Sequence, residues 1–499
     1  VADVRPANQA VANDPPGTDP AITAALLLLT TMIAFENMAV ATAMPVVAAE
    51  LGAVESYGLA FSSMMTAMLL GIVLAGPWTD RVGPLPPVFF GQGLFAGGAI
   101  LCGAAPSFGV LLLGRVVTGL GAGLVVVVEF VVIARSFAPE RRPQVFSWLS
   151  AAWILPSLIG GPIAGWLATE FNWRWVFWVI VLPAGVASGL LIMRRDALRA
   201  PAAHESATPS IGDVARDRPD GLGGPQTEPG QQRRLQRRTA RLGAVVAGSA
   251  GVVQLAIHER PEVVSVLGAA AVLGLLGVAA AAPKLLPPGT FRSARGLPSV
   301  VLTRALLNGS FLGAFAYLPL MLTQEKGLDP TSAGLVLAAG SLGWSAGSWA
   351  QGRSRRSSVD ERADLVVWGA TLLAVGWALF VALTVGHAPV WSFAVVIVVG
   401  GLGMGLGSTT LSGLVLELSP DHEHGRASAA LQLADVLGTV IGIAGATAAF
   451  GAWHRVGEHR GFVIVWLGLA AFGALGILTA SRCATGTSRT REDVPVRSL

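Results

Sequence analysis

Long apolar runs recur along this 499-residue chain, and the loops between them alternate between arginine-rich and arginine-poor. A helix needs about 17 to 25 apolar residues to cross about 30 Å of hydrocarbon. In that medium only helices or closed barrels satisfy their own backbone polar groups. Fourteen runs qualify, near 21–47, 57–78, 87–105, 108–134, 144–168, 174–193, 241–257, 262–283, 298–322, 331–350, 364–384, 390–417, 427–450 and 461–481. The expected fold class is therefore all-α and integral to a membrane, with 14 transmembrane helices.

Composition agrees. The chain is 53% hydrophobic and 13% charged, against about a quarter charged in soluble domains. Its basic residues set an orientation. With the N-terminus inside, 27 of the 34 Lys and Arg fall on one side and 5 on the other, with Arg115 and Arg304 within spans. Positive charge prefers the cytoplasm, so both termini are expected to be cytoplasmic, in a cell (inner or plasma) membrane. These arginines flank apolar runs and form no basic stripe, so a nucleic-acid partner is not expected. Two cysteines, Cys102 and Cys483, imply neither a disulfide framework nor a metal site.

The expected organisation follows from the runs. Residues 1–20 lack the basic and apolar regions of a leader and form a disordered cytoplasmic tail. A six-helix bundle spans 21–193, and a polar Pro/Gly/Asp-rich cytoplasmic linker spans 194–240. Two additional helices occupy 241–283, a second six-helix bundle 298–481, and a cytoplasmic tail 482–499. GPWTDRVG (76–83) closes the second run of the first bundle, and GSWAQGRS (347–354) closes the matching run of the second. Paired halves of this kind build a central site in many transporters.

Several stretches carry a specific likeness. ENMAVATAMP (36–45), GPWTDRVG, GRVVTGLGAG (114–123) with PERR (139–142), PSLIGGPIAG (156–165) and NWRWVFW (172–178) stand in order through the first half. KLLPPGTFRS, YLPLMLTQEKGLDPTSAGL and GRASAALQLADVLG follow more loosely in the second. Together they resemble the major facilitator superfamily, and within it the fourteen-span drug:proton antiporter branch, over about 21–481. That resemblance implies two six-helix bundles plus two linker helices, alternating access, and a proton-coupled multidrug efflux antiporter conferring antibiotic resistance. Small-molecule or lipid substrates, protons and membrane lipids are the expected partners, and the chain is expected to act as a monomer. No cofactor is expected. Nothing resembles an enzyme, and without a Walker-type phosphate loop an ion gradient is the expected driving force.

Glu36 is the residue that demands an account. It sits about eleven residues, roughly 16 Å, from the outer end of its run. A carboxylate there is costly and is normally functional, so it is expected to hold a proton and trade it for a cationic substrate. A hydrogen-bonded packing role is the alternative. The branch usually has Asp at this position, and a Thr where this chain has Met38. By the same resemblance Arg115 faces the cavity and sets when the carboxylate releases its proton; snorkelling to the interface is the alternative.

Glu129 interrupts the valine run LVVVVEFVV, fourteen residues from Arg115 and so on a similar side of the helix. The resemblance assigns it no role. A second protonatable site, a cation contact and a salt bridge to a basic loop all remain open. Asp435, where the branch often carries Arg, completes the proton-coupling candidates; with Gln432 one turn before it, a substrate contact and a contact across the domain interface are both open, and Arg304 and Asn308, one turn apart, offer a possible partner face.

Asn37, Trp153, Arg304 and Asn308 join Glu36 as candidate cavity residues, with most other tryptophans expected at the membrane interface. Gly76, Asp80, Arg81 and Gly83 are expected to form a conformational latch. In it the two glycines allow tight approach and turning, and Asp80 meets the positive start of the run at 427–450. An ordinary helix-end charge is the alternative. Gly160, Gly161, Pro162 and Gly165 form the antiporter motif, where small residues let helices approach closely. Three functions remain in competition: a proton-coupled exporter of amphipathic cationic drugs, an exporter of envelope lipid or glycolipid, and a transporter-like sensor or scaffold that moves nothing.

Overall fold

A computed structural model describes residues 19–137, 141–199, 286–354, 356, 358–386, 388–420, 424–454 and 457–484, with 241, 242, 245, 248 and 283 in addition. The fold is helical, with twelve long helices among the described residues. The first half comprises α1 (Pro20–Glu50), α2 (Leu59–Val82), α3 (Leu85–Gly103), α4 (Phe108–Ser136), α5 (Arg142–Glu170) and α6 (Arg174–Met193). The last of these is built of two segments, Arg174–Trp178 and Val181–Met193. The second half comprises α7 (Leu297–Gln324), α8 (Pro330–Gly352), α9 (Val359–Val385), α10 (Val390–Glu417), α11 (His424–His454) and α12 (Glu458–Ala480).

Eleven of these are long and apolar enough to cross a membrane. The remaining helix, α8, is diluted by glycine, serine and a terminal glutamine. The two helices expected within 241–283 lie outside the described residues except at isolated positions, so the count of fourteen is not shown.

Short polar signals set several helix starts. Asp19 precedes Pro20 and accepts from the Ala21 and Ile22 amides; Asp329 precedes Pro330 and accepts from the Ser332 amide. Each Asp satisfies orphan donors of the first turn, and each Pro has no N–H to orphan. Ser358 and Glu361 form a reciprocal capping box at the start of α9.

The two halves repeat one packing scheme. A Cβ on Gly71 of α2 would lie 2.4 Å from the Leu120 carbonyl of α4; one on Gly347 of α8 would lie 2.2 Å from the Leu402 carbonyl of α10. The α3–α4 contact at Gly98 and Gly114 has its counterpart between Gly369 of α9 and Gly403 of α10. Only glycine permits such backbone approach.

The halves are joined chiefly at the end that carries Glu50. There one apolar core draws Val47, Tyr57 and Phe61 together with Tyr317, Met321 and Phe450. Toward the Pro20 end the first half has a core of its own, including Ile22, Leu29, Val132 and Leu191. Accessibility between the halves follows the same gradient. On α11 it falls from exposed Gln432 through half-buried Asp435 to buried Thr439 and Thr447. On α5, Gly161 and Gly165, which face α8, are buried.

Candidate functional site

Glu36 and Arg115 meet between α1 and α4. Arg115 Nη1 donates to Glu36 Oε1 in a close ion pair whose side chains are 2% and 1% exposed respectively. Arg115 Nε donates to the Ala60 carbonyl at the start of α2, at 2.8 Å. Glu36 Oε2 is buried without a partner among the described residues. The guanidinium thus reaches inward to a carboxylate and does not snorkel. Removing one member of such a pair strands the other charge, at a cost of about 3–5 kcal/mol. In this state the Glu36 side chain is sealed against its partner, with a guanidinium in contact and both groups buried.

A second ion pair lies nearer the Pro20 end of the second half. Arg304 of α7 and Asp435 of α11 pair in a forked arrangement, through Nε to Oδ1 and through Nη2 to Oδ2 at 2.9 Å. Asn308 Nδ2 also donates to Asp435 Oδ1, and Arg304 Nη1 donates to the Ser408 carbonyl of α10 at 2.5 Å. The two charged side chains are 14% and 19% exposed, far more open than the first pair. Arg304 and Asn308, the possible partner face for Asp435, form one constellation with it. The negative charge at 435 has its counterion one helix away.

Glu129 stands apart from both. Thr30 Oγ1 of α1 lies 3.4 Å from each of its carboxylate oxygens, and no ion pair to it occurs among the described residues. Arg115 and Glu129 do project to the same side of α4, since both meet α1. Asn37 donates to the Ile33 carbonyl of its own helix and reaches no other candidate.

Of the latch residues, Gly83 ends α2 with φ 82°, a conformation glycine adopts without strain. The space around Gly76 is open, so close helix approach is not its role. Arg81 is exposed, and the side chain of Asp80 and those at the start of α11 lie outside the described residues. The antiporter motif lies at the contact between halves. A Cβ on Gly334 of α8 would lie 2.6 Å from the Gly161 carbonyl carbon, and one on Gly165 would lie 2.5 Å from Thr331 Cα. Pro162 is part of the same contact.

Two features carry no sequence expectation. Tyr57 and Tyr317, the chain's two tyrosines, meet edge-on across the halves with ring centroids 5.5 Å apart. The Tyr57 hydroxyl donates to the Ala316 carbonyl at 2.7 Å, and Thr447 packs directly on Gly58. In NWRWVFW, Trp173 is buried within the protein: its indole donates to Glu50 at 2.8 Å, and Arg174 pairs with the same carboxylate at 3.0 Å. Among the described residues no cluster of His, Cys, Asp or Glu could hold a metal ion.

Paired six-helix halves, an ion pair within each of them and a close-packed contact across them can be set against known proteins. The profile described as Major Facilitator Superfamily matches residues 26–443. The chain belongs to this superfamily. It is 34% identical over 170 residues to Multidrug resistance protein 3 of Bacillus subtilis, covering 34% of this chain and 33% of that one. It is 27% identical over 400 residues to Multidrug resistance protein B homolog of Mycobacterium tuberculosis, covering 76% of this chain and 66% of that one. The chain thus spans about a third to two thirds of these relatives. Its fold is similar to that of a D-xylose-proton symporter, with TM-score 0.61 and 16% identity over 92% of this chain and 96% of the other. The protein is a multi-pass helical membrane protein of this superfamily, with relatives named for multidrug resistance.

Proposed function

We propose that this transporter is a proton-coupled antiporter that exports amphipathic, cationic compounds by alternating access. The observation that carries the reading is the buried Glu36–Arg115 pair, tied through the Ala60 carbonyl to the start of α2. That helix start also bears Tyr57 and Gly58, the residues that close the Glu50 end against α7 and α11. In the closed state Arg115 holds the Glu36 carboxyl group. Opening that end moves α2, withdraws the carbonyl from Arg115 and loosens the pair, so that Glu36 takes up a proton from that side only. Closure restores the pair and expels the proton toward the other side. The arginine bias among the loops supports a cytoplasmic Pro20 end; a proton taken up at the Glu50 end then moves inward, and antiport against it is export. The glycine contact of α5 with α8 and the names of the relatives support the same reading.

Efflux of ethidium from proteoliposomes, with and without an imposed pH gradient, tests the proposal. Gradient-dependent efflux that Glu36→Gln abolishes is expected. Equal efflux at zero gradient would refute it.

A further inference from the structure

Three carboxylates among the described residues lie two turns or more from either end of a long helix: Glu36, Glu129 and Asp435. Arg115 neutralises the first and Arg304 the third. Glu129, 5% exposed, has only the Thr30 hydroxyl at 3.4 Å. Among the described residues no cation pairs with it. α1 carries no other ionisable residue between Asp19 and Glu50 than Glu36, and α4 none between Arg115 and Arg135 but Glu129 itself. α5 has none between Arg142 and Glu170, α3 has Cys102 alone, and α2 has none before Asp80.

A carboxylate buried without a cation is too costly to keep charged. It must carry a proton or find a positive partner that comes and goes. We propose that Glu129 is where this protein recognises positive charge on its cargo, binding an amphipathic organic monocation in exchange for the proton it otherwise holds. The assignment rests on the antiporter reading above and adds the group that selects the cargo. Charge balances in the exchange: one proton leaves the carboxyl as one cation arrives.

The surroundings narrow the ligand class. Leu26, Leu29, Val125 and Val132 belong to the apolar core of this region, with Phe35 and Trp148 packed against it. A metal ion needs several oxygen donors, and one hydroxyl is present. An organic cation with an apolar body needs one counter-charge and an apolar wall, which aromatic rings reinforce. Thr30 orients the carboxylate; it is a positioning residue.

The test uses the full-length protein in nanodiscs, titrated calorimetrically with tetraphenylphosphonium in buffers of different ionisation enthalpy. Wild type is expected to release about one proton per bound cation. Glu129→Gln is expected to bind about tenfold more weakly and release none, and Glu129→Asp to regain part of both. Glu129→Gln should melt no lower than wild type, which separates a binding defect from misfolding. Unchanged affinity and proton release in Glu129→Gln would overturn the assignment while leaving the antiporter reading intact. Absence of gradient-driven tetraphenylphosphonium export by wild type in proteoliposomes would remove that reading, and this one with it.

Discussion

Arg115 binds the Glu36 carboxylate through one nitrogen and the Ala60 carbonyl through another, so a single side chain ties α1 to the first turn of α2. Ala60 follows Tyr57 by three residues, and Tyr57 donates across the halves to Ala316. The charge pair and the closure of the Glu50 end therefore share one short piece of backbone.

Breaking the pair on one side should hurt more than removing both charges. Glu36→Gln or Arg115→Met alone strands a buried charge, with an expected loss of about 3–5 kcal/mol. The double variant should be clearly less destabilised than the sum of the two. Thermal unfolding of the four proteins in detergent measures the cycle; strict additivity would mean that the two groups do not interact.

Gly58→Ala should hold the Glu50 end open. Its Cβ would stand 1.8 Å from Thr447 Oγ1, which neither helix can accommodate while closed. Tyr57→Phe removes one buried hydrogen bond worth about 1 kcal/mol and should shift the balance more gently in the same direction. A cysteine at buried position 48, in a background lacking Cys102 and Cys483, reports opening by its rate of thiol labelling. The rate should rise modestly in Tyr57→Phe and strongly in Gly58→Ala.

Arg304 and Asp435 should tolerate exchange better than loss. Either Arg304→Ala or Asp435→Ala leaves a half-buried charge alone and is expected to reduce transport at least about tenfold, the effect of 1.4 kcal/mol. The swapped protein, Arg304→Asp with Asp435→Arg, should regain a substantial part of it, because the pair spans two facing helices and either polarity closes it. Flux assays on the three variants decide this; a swap no better than the single variants would mean that the polarity itself is used.

The cap of α8 should make a small acid-sensitive contribution. Hydrogen bonds from the Ser332 hydroxyl and amide hold the Asp329 carboxyl below its ordinary range. Its contribution is therefore present above about pH 4 and fades as pH falls through the lowered value. Asp329→Ala should cost about 1 kcal/mol near neutrality and progressively less in acid, as read from melting temperatures across pH.

Long apolar runs made twelve helices legible, because a span must be apolar over its whole length whatever it packs against. Glu36 and Arg115 were legible as charges in costly places, and the resemblance brought them together. Arg304 and Asn308 were legible as a possible partner face for Asp435, but the pairing itself was not, since Arg304 and Asp435 are 131 residues apart and only the folding of α7 against α11 brings them into contact. Gly76 misled because a glycine at a helix end does not say whether another helix approaches. The Asp-Pro pairs at 19–20 and 329–330 are readable helix starts, and the rarity of tyrosine was a signal for the Tyr57–Tyr317 contact that composition alone could have raised. Burial decided what remained: Glu129 and Glu36 look alike in sequence, and only the absence of a guanidinium beside one separates them.

Proton movement driven by substrate tests the central claim most directly. In proteoliposomes containing a pH-sensitive dye and no imposed pH gradient, an outward gradient of a cationic substrate should drive protons inward, and Glu36→Gln should abolish the acidification. Substrate efflux with no change in internal pH would contradict the account.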